Sequence, residues 1–183
     1  MNPIGKVPLL VQADGTRLPE SAVIAEYLEE RYPEPALLPS APWPRAVSRL
    51  VARITDCYIS PSFRPLLPHL DPQARNPAAV AGQAETLARA FRALGHYMLP
   101  GTFCAGDAPS VGDCALAPYL QLLKNVIFPA FPEIPDPTLP PGRLADWWQA
   151  VSGHREFGAC LREYDQAVSR FMAANRERLH EHR

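Results

Sequence analysis

The chain has 183 residues, 47% of them apolar and 20% charged. That is enough for one good core, or one domain with a smaller partner unit. A net charge of -1 gives no electrostatic basis for nucleic-acid binding, no apolar run reaches the length of a membrane span, and the N-terminus lacks a signal-peptide layout.

Residues 7–11, Val-Pro-Leu-Leu-Val, form a short apolar run, followed by Asp14-Gly15 and a second run, Thr16-Arg17-Leu18. Two runs around Asp-Gly predict a β-hairpin. Pro8 fits at a strand's first residue, or where its peptide bond is cis. Ser21 is placed to cap a helix that Pro33 ends. Val23 with Tyr27, and Ile24 with Leu28, are i,i+4 pairs on its apolar face. Residues 33–44, PEPALLPSAPWP, are too proline-rich for regular structure and are expected to be a linker.

From Arg45 onward every periodic segment is helical. Val47, Leu50, Val51, Ile54 and Tyr58 step at helical spacing, and prolines 61, 65 and 68 then break or kink the pattern. Val80, Ala84, Leu87, Phe91, Leu94 and Met98 mark a helix with one buried stripe. Residues 110–128 are apolar on nearly every face, as expected of a central helix, with a kink expected at Pro118. A six-proline loop, 129–142, precedes a helix begun by Leu144, Trp147, Trp148 and Val151. Phe157 to Met172 continue in one or two more. With 22 prolines placed mostly between these segments, proline acts as punctuation in a folded chain.

The four cysteines, Cys57, Cys104, Cys114 and Cys160, have no metal-ligand spacing and form no disulfide framework. Cys57, Cys114 and Cys160 fall within helical patterns, where a thiol usually acts as a small buried hydrophobe. A reducing, cytoplasmic compartment is expected. His180-Glu181-His182 lacks the spacing of a zinc helix, and no metal site is expected.

Two stretches could carry binding chemistry. A helix N-terminus at Glu20-Ser21 offers free N–H groups to a carboxylate or phosphate, or Ser21 merely caps its own helix. Lys6-Val7-Pro8, with a cis bond, could turn the Val7 backbone toward an extended peptide, or it is only a strand entry.

Taken together, NPIGKVPLL, ESAVIAEYLEERYP and ALLP closely resemble the glutathione-binding half of the cytosolic glutathione S-transferase family. GDAPSVGDCALAPYL, residues 106–120, is similar to that family's folding motif at its central helix, and LADWWQAVSGHREF to its late Trp-containing helix. In the former, Ser110 caps and Asp113 reaches back, a capping-box variant whose loss costs about 1 kcal/mol or more. The wording of residues 20–40 leans toward the maleylacetoacetate-isomerase-like, or zeta, branch.

The resemblance implies an α+β fold. A partial thioredoxin-like unit, a β-hairpin plus helix, would occupy residues 1–32. A linker over 33–44 and an all-helical domain over 45–183 would follow. It also implies that glutathione is a cosubstrate. Val7 would pair with its cysteinyl part beside a cis Pro8, Glu20 and Ser21 would hold its γ-glutamyl end, and Lys6 would reach its glycine end. The helical part would line a second, apolar site for a small electrophile, with Tyr58 and Phe63 as candidates by position. A homodimer is expected.

In the family, a strand, a helix and a second strand precede the segment that starts here, and carry the Ser, Tyr or Cys that activates the glutathione sulfur. No residue of this chain maps onto that group, and Cys57 and Cys114 fall in the other half. The expectation is a truncated, weakly active chain with a frayed residue 1–32 unit, its strand edge bare. A non-catalytic interaction or dimerisation module is the alternative.

Overall fold

The computed structural model describes residues 2–181, with side chains described through Phe171. Strands β1 (Leu9–Val11) and β2 (Arg17–Pro19) form an antiparallel hairpin in the register Leu9↔Pro19 and Val11↔Arg17. Asp14 tightens its turn by accepting the Thr16 N–H at 2.9 Å, and Gly15 takes a φ of 85° there. The hairpin is the only sheet among the described residues.

Helix α1 (Ser21–Arg31) follows directly. Ser21 is not its cap. Glu20 holds that position, at φ 73° and ψ 112°, and Ser21 is the first helical residue. The expected apolar face of α1 is also not a core face, since the helix has no buried residue and Val23 is 48% exposed. Polar bonds hold it instead. The Glu29 carboxylate accepts the Leu37 and Leu38 N–H groups at 2.8–3.0 Å. Arg49 donates to both oxygens of Glu26 at 2.7 and 2.8 Å.

Residues 33–41 carry no regular structure, and α2 (Pro42–Ile54) begins inside the expected linker. Proline suits a helix's first turn, where its missing N–H costs nothing. The helical path does not break at Pro61. A π-helical turn, Thr55–Ile59, leads into the short α3 (Ser60–Phe63), with the Ser60 N–H bonded to the Thr55 carbonyl. A 3₁₀ segment, Arg64–Leu70, absorbs Pro65 and Pro68. α4 (Pro77–Tyr97) buries Val80, Leu87, Phe91 and Leu94, as its spacing predicts, and Asn76 caps it.

Central helix α5 (Val111–Leu122) runs through Pro118 and passes into a second π turn, Leu123–Ile127, and then the short α6 (Phe128–Ala130). The proline-rich loop after it sinks Phe131 and Ile134 into the core. α7 (Arg143–Gly153) buries Trp147 and Val151, and a single α8 (Arg155–Glu181) follows, its stripe fading outward to Phe171 at 65% exposed.

The core centres on a buried carboxylate. Ser110 and Asp113 form the capping box at the start of α5. Asp113 accepts from the N–H and the hydroxyl of Ser110 at 2.8 and 2.7 Å, from the Cys104 N–H at 2.8 Å, and from the Trp147 indole at 2.7 Å. One side chain thus ties together the loop before α5, α5 itself and α7. Of the cysteines, only Cys104 is buried; Cys57, Cys114 and Cys160 are exposed, because they sit on the outer faces of their helices rather than on the apolar stripes. No helix among the described residues is long and apolar enough to cross a membrane.

Candidate functional site

The loop before β1 is shaped by Asn2. Its side chain accepts the Ile4 N–H at 3.1 Å and donates to the Lys6 carbonyl at 2.6 Å, while Gly5 turns the chain at φ 67°. The Val7–Pro8 peptide is cis. Val7 is 92% exposed, and no hydrogen bond among the described residues uses its N–H or carbonyl. An exposed, unpaired backbone edge is what an extended peptide ligand needs.

Behind this edge stands the start of α1. The first backbone bond of the helix runs from the Ile24 N–H to the Glu20 carbonyl at 2.9 Å. Among the described residues the N–H groups of Ser21, Ala22 and Val23 therefore have no backbone acceptor, and the helix dipole favours an anion beside them. Because Ser21 is the first helical residue, its hydroxyl and its N–H stand on that end together. Glu20 has a left-handed φ, a conformation costly for a residue with a side chain and found where surrounding structure enforces it.

Lys6, Val7, Pro8, Glu20 and Ser21 all line one cavity of about 410 Å³, together with Asn2, Pro19 and Ala22. The structure thus brings every predicted binding residue to one place. The other wall comes from the helical part: Arg53, Asp56, Cys57, Ser60 and Arg64 from α2 through the start of the 3₁₀ segment, and Tyr119 from α5. This wall is polar, unlike the apolar second site expected. Phe63 is buried and packs edge-on against Tyr119 with ring centroids 5.9 Å apart, and Tyr58 is exposed outside the lining.

Arg53 donates to the Cys57 Sγ at 3.0 Å. Burial pushes the Asp56 carboxyl up, Arg53 opposes the shift, and the charge of Glu20 from the hairpin side adds to it. The cavity therefore holds both signs of charge: Lys6, Arg53 and Arg64 against Glu20 and Asp56. Glutathione presents two carboxylates, an ammonium, two amides and a thiol. Cations and free N–H groups suit the carboxylates, Glu20 suits the ammonium, and the Val7 edge suits an amide.

Asn2, Arg53, Asp56, Cys57, Ser60 and Arg64 were not singled out from sequence for this cavity. Asn2 had a local signal, an Asn two residues before a turn. The others reach the site by packing of distant segments. A slightly larger cavity, about 490 Å³, lies between α4 and the loop after α6. Prolines and alkyl side chains dominate its wall, and Asp136 there is already held by Lys124 at 2.6 Å. The side chains of His180 and His182 lie outside the described residues.

Residues 1–36 match the family model of the glutathione S-transferase N-terminal domain, and residues 77–150 that of the C-terminal domain. The chain is 35% identical over 147 residues to a maleylacetoacetate isomerase of Pseudomonas aeruginosa, covering 73% of this chain and 65% of that protein. A crystal structure of maleylacetoacetate isomerase from Anaeromyxobacter dehalogenans, with GSH bound in its active site, superposes with a TM-score of 0.65. It is 30% identical and covers 86% of this chain and 72% of its own. A maleylpyruvate isomerase, a bacterial glutathione S-transferase of the zeta class, superposes with a TM-score of 0.62 at 28% identity, covering 85% and 73%. The chain spans between 48% and 65% of the length of curated relatives that it matches. With an N-terminal hairpin unit, a large helical part and matches to both halves of the family, this chain belongs to the glutathione S-transferase family.

Proposed function

We propose that this chain holds glutathione in the cavity between the hairpin unit and α2, and serves transfer of the tripeptide to, or isomerisation of, a small electrophile. The carrying observation is the convergence of the unpaired Val7 backbone, the Lys6 ammonium and the free N–H groups of α1 on one cavity. Val7 pairs with the cysteinyl part beside cis Pro8, Ser21 and its helix end take the γ-glutamyl carboxylate, Glu20 takes the ammonium, and Lys6 takes the glycine carboxylate. Pro8 shapes the edge, and Ser110 and Asp113 hold the helical part that forms the other wall.

The electrophile meets Arg53 and Arg64, and so carries a carboxylate rather than being wholly apolar. The similarity to maleylacetoacetate and maleylpyruvate isomerases supports the same direction. No residue described here is assigned the activation of the sulfur. The working form proposed is a cytoplasmic homodimer, with the hairpin and α1 as binding unit, the irregular segment before α2 as linker and the helices from α2 onward as helical domain.

Calorimetric titration with glutathione and with S-methylglutathione tests this. Both should bind, and Ser21→Ala and Lys6→Ala should each weaken binding by roughly tenfold, the worth of one charge-assisted hydrogen bond. Absence of binding by the unaltered chain overturns the reading. Binding with no turnover of any carboxylate-bearing electrophile would instead assign the chain as a non-catalytic glutathione-binding module.

A further inference from the structure

The proposed function leaves idle a thiol in the cavity wall. Cys57 is exposed and lies in the π turn between α2 and α3, in the wall contributed by the helical part. Its sulfur accepts a hydrogen bond from the Arg53 guanidinium at 3.0 Å. The opposite wall of the same cavity is formed by Lys6, the unpaired Val7 edge and the start of α1. The geometry points to Cys57 as a site of thiol–disulfide exchange with glutathione disulfide. This rests on the cavity holding glutathione.

With its cysteinyl residue along Val7, one half of the disulfide would share the cavity that Cys57 also lines. Holding the two sulfurs in one cavity replaces a collision between free molecules with an encounter already made. During exchange, negative charge passes from the attacking to the departing sulfur, and a guanidinium beside it stabilises that charge. The Cys57 thiol gives up its proton to solvent, and its thiolate attacks the seated disulfide sulfur. A new S–S bond forms to the seated half, the old S–S bond breaks, and the other half leaves as a thiolate that takes a proton from solvent. One disulfide is consumed and one is made, so no further oxidant is needed. A glutathione thiolate reverses the step and frees Cys57.

Cys160 supplies an internal reference, since it is exposed on α8 and outside the cavity lining. The full chain is incubated with glutathione disulfide, quenched at intervals and mapped by peptide mass. Cys57 should gain a glutathionyl group roughly tenfold faster than Cys160, reflecting positioning and the adjacent cation. S-methylglutathione, which cannot exchange, should slow modification of Cys57 and leave Cys160 unchanged. Arg53→Ala should slow Cys57 alone. Equal rates at the two cysteines, or no protection by S-methylglutathione shown by calorimetry to be bound, overturn the inference while leaving glutathione binding intact. If S-methylglutathione does not bind at all, the reading of the cavity itself fails.

Discussion

Two residues show how differently single side chains serve this molecule. Glu20 is strained: its φ of 73° is the only left-handed non-glycine φ among the described residues. Such a conformation costs about 1–3 kcal/mol, and a glycine there would escape the Cβ clash while adding about 0.5–1 kcal/mol of backbone entropy cost. Glu20→Gly should therefore stabilise the start of α1 by about 1 kcal/mol, slowing hydrogen exchange at the Ile24 amide by roughly fivefold. The same variant should bind glutathione more weakly, because the carboxylate that meets the ammonium is gone. Faster exchange at Ile24 would show that the strain is not local. Asp113 is the opposite case. Its removal leaves the N–H groups of Cys104 and Ser110 and the Trp147 indole without an acceptor in a fully buried place. At about 1–3 kcal/mol for each orphaned donor, Asp113→Ala should cost more than about 3 kcal/mol, well above a simple cap. A thermal scan should show Tm lowered by roughly 10 °C, or no folded protein.

At the scale of elements, close approach and helix register decide the packing. Gly112 lets α5 lie against α2: a Cβ there would stand 2.5 Å from the Ser48 carbonyl oxygen and 2.8 Å from the Cys104 sulfur. The Gly112 N–H also bonds to the Ser48 hydroxyl at 3.0 Å. Gly112→Ala should destabilise by about 2 kcal/mol through overpacking. Gly82 on α4 has nothing within 4 Å of the same added atom, so Gly82→Ala should stabilise by up to about 1 kcal/mol. Urea melts should move the two midpoints in opposite directions with the slope unchanged. Much of this layer was legible in the sequence. The Asp-Gly turn, the Ser110–Asp113 pair and the stripe from Val80 to Met98 are local patterns whose physics needs no partner. The π turns were not legible. Each carries one extra residue just before a proline, Pro61 or Pro129, which a 3.6-residue period does not register and reads as a break. Nor was the helical wall of the cavity. Cys57 and Arg53 meet Lys6 and Glu20 only through packing between segments far apart in the chain, and a cysteine on a helix looks alike whether it faces a core, a cavity or water.

The whole molecule joins two parts held by different forces. The helical part has a continuous apolar core through α2, α4, α5 and α7, organised on Asp113. The hairpin and α1 bury no residue fully and attach through polar contacts: Glu26 with Arg49, Glu29 with the Leu37 and Leu38 N–H groups, and the Leu37 carbonyl with the Val111 N–H at 2.9 Å. The cavity lies across this junction, so its geometry depends on the weaker attachment. The Arg49 hydrogen bonds hold the Glu26 carboxyl below its ordinary value of 4.5, and Arg49 is correspondingly raised. A carboxylate with a depressed folded value contributes stability that is present above 4.5 and is lost as pH falls through the folded value. Both side chains are partly exposed, so the pair is a modest, salt-sensitive tether. Between pH 5 and pH 3, hydrogen exchange corrected for its intrinsic pH dependence should rise in β1, β2 and α1 before it rises in α5. Glu26→Gln should bring part of that early rise to neutral pH and weaken its dependence on acid, the Asp14 turn contact remaining titratable, while leaving α5 protected. If α1 and α5 instead lose protection together at every pH, the two parts unfold as one unit and the tether does not separate them.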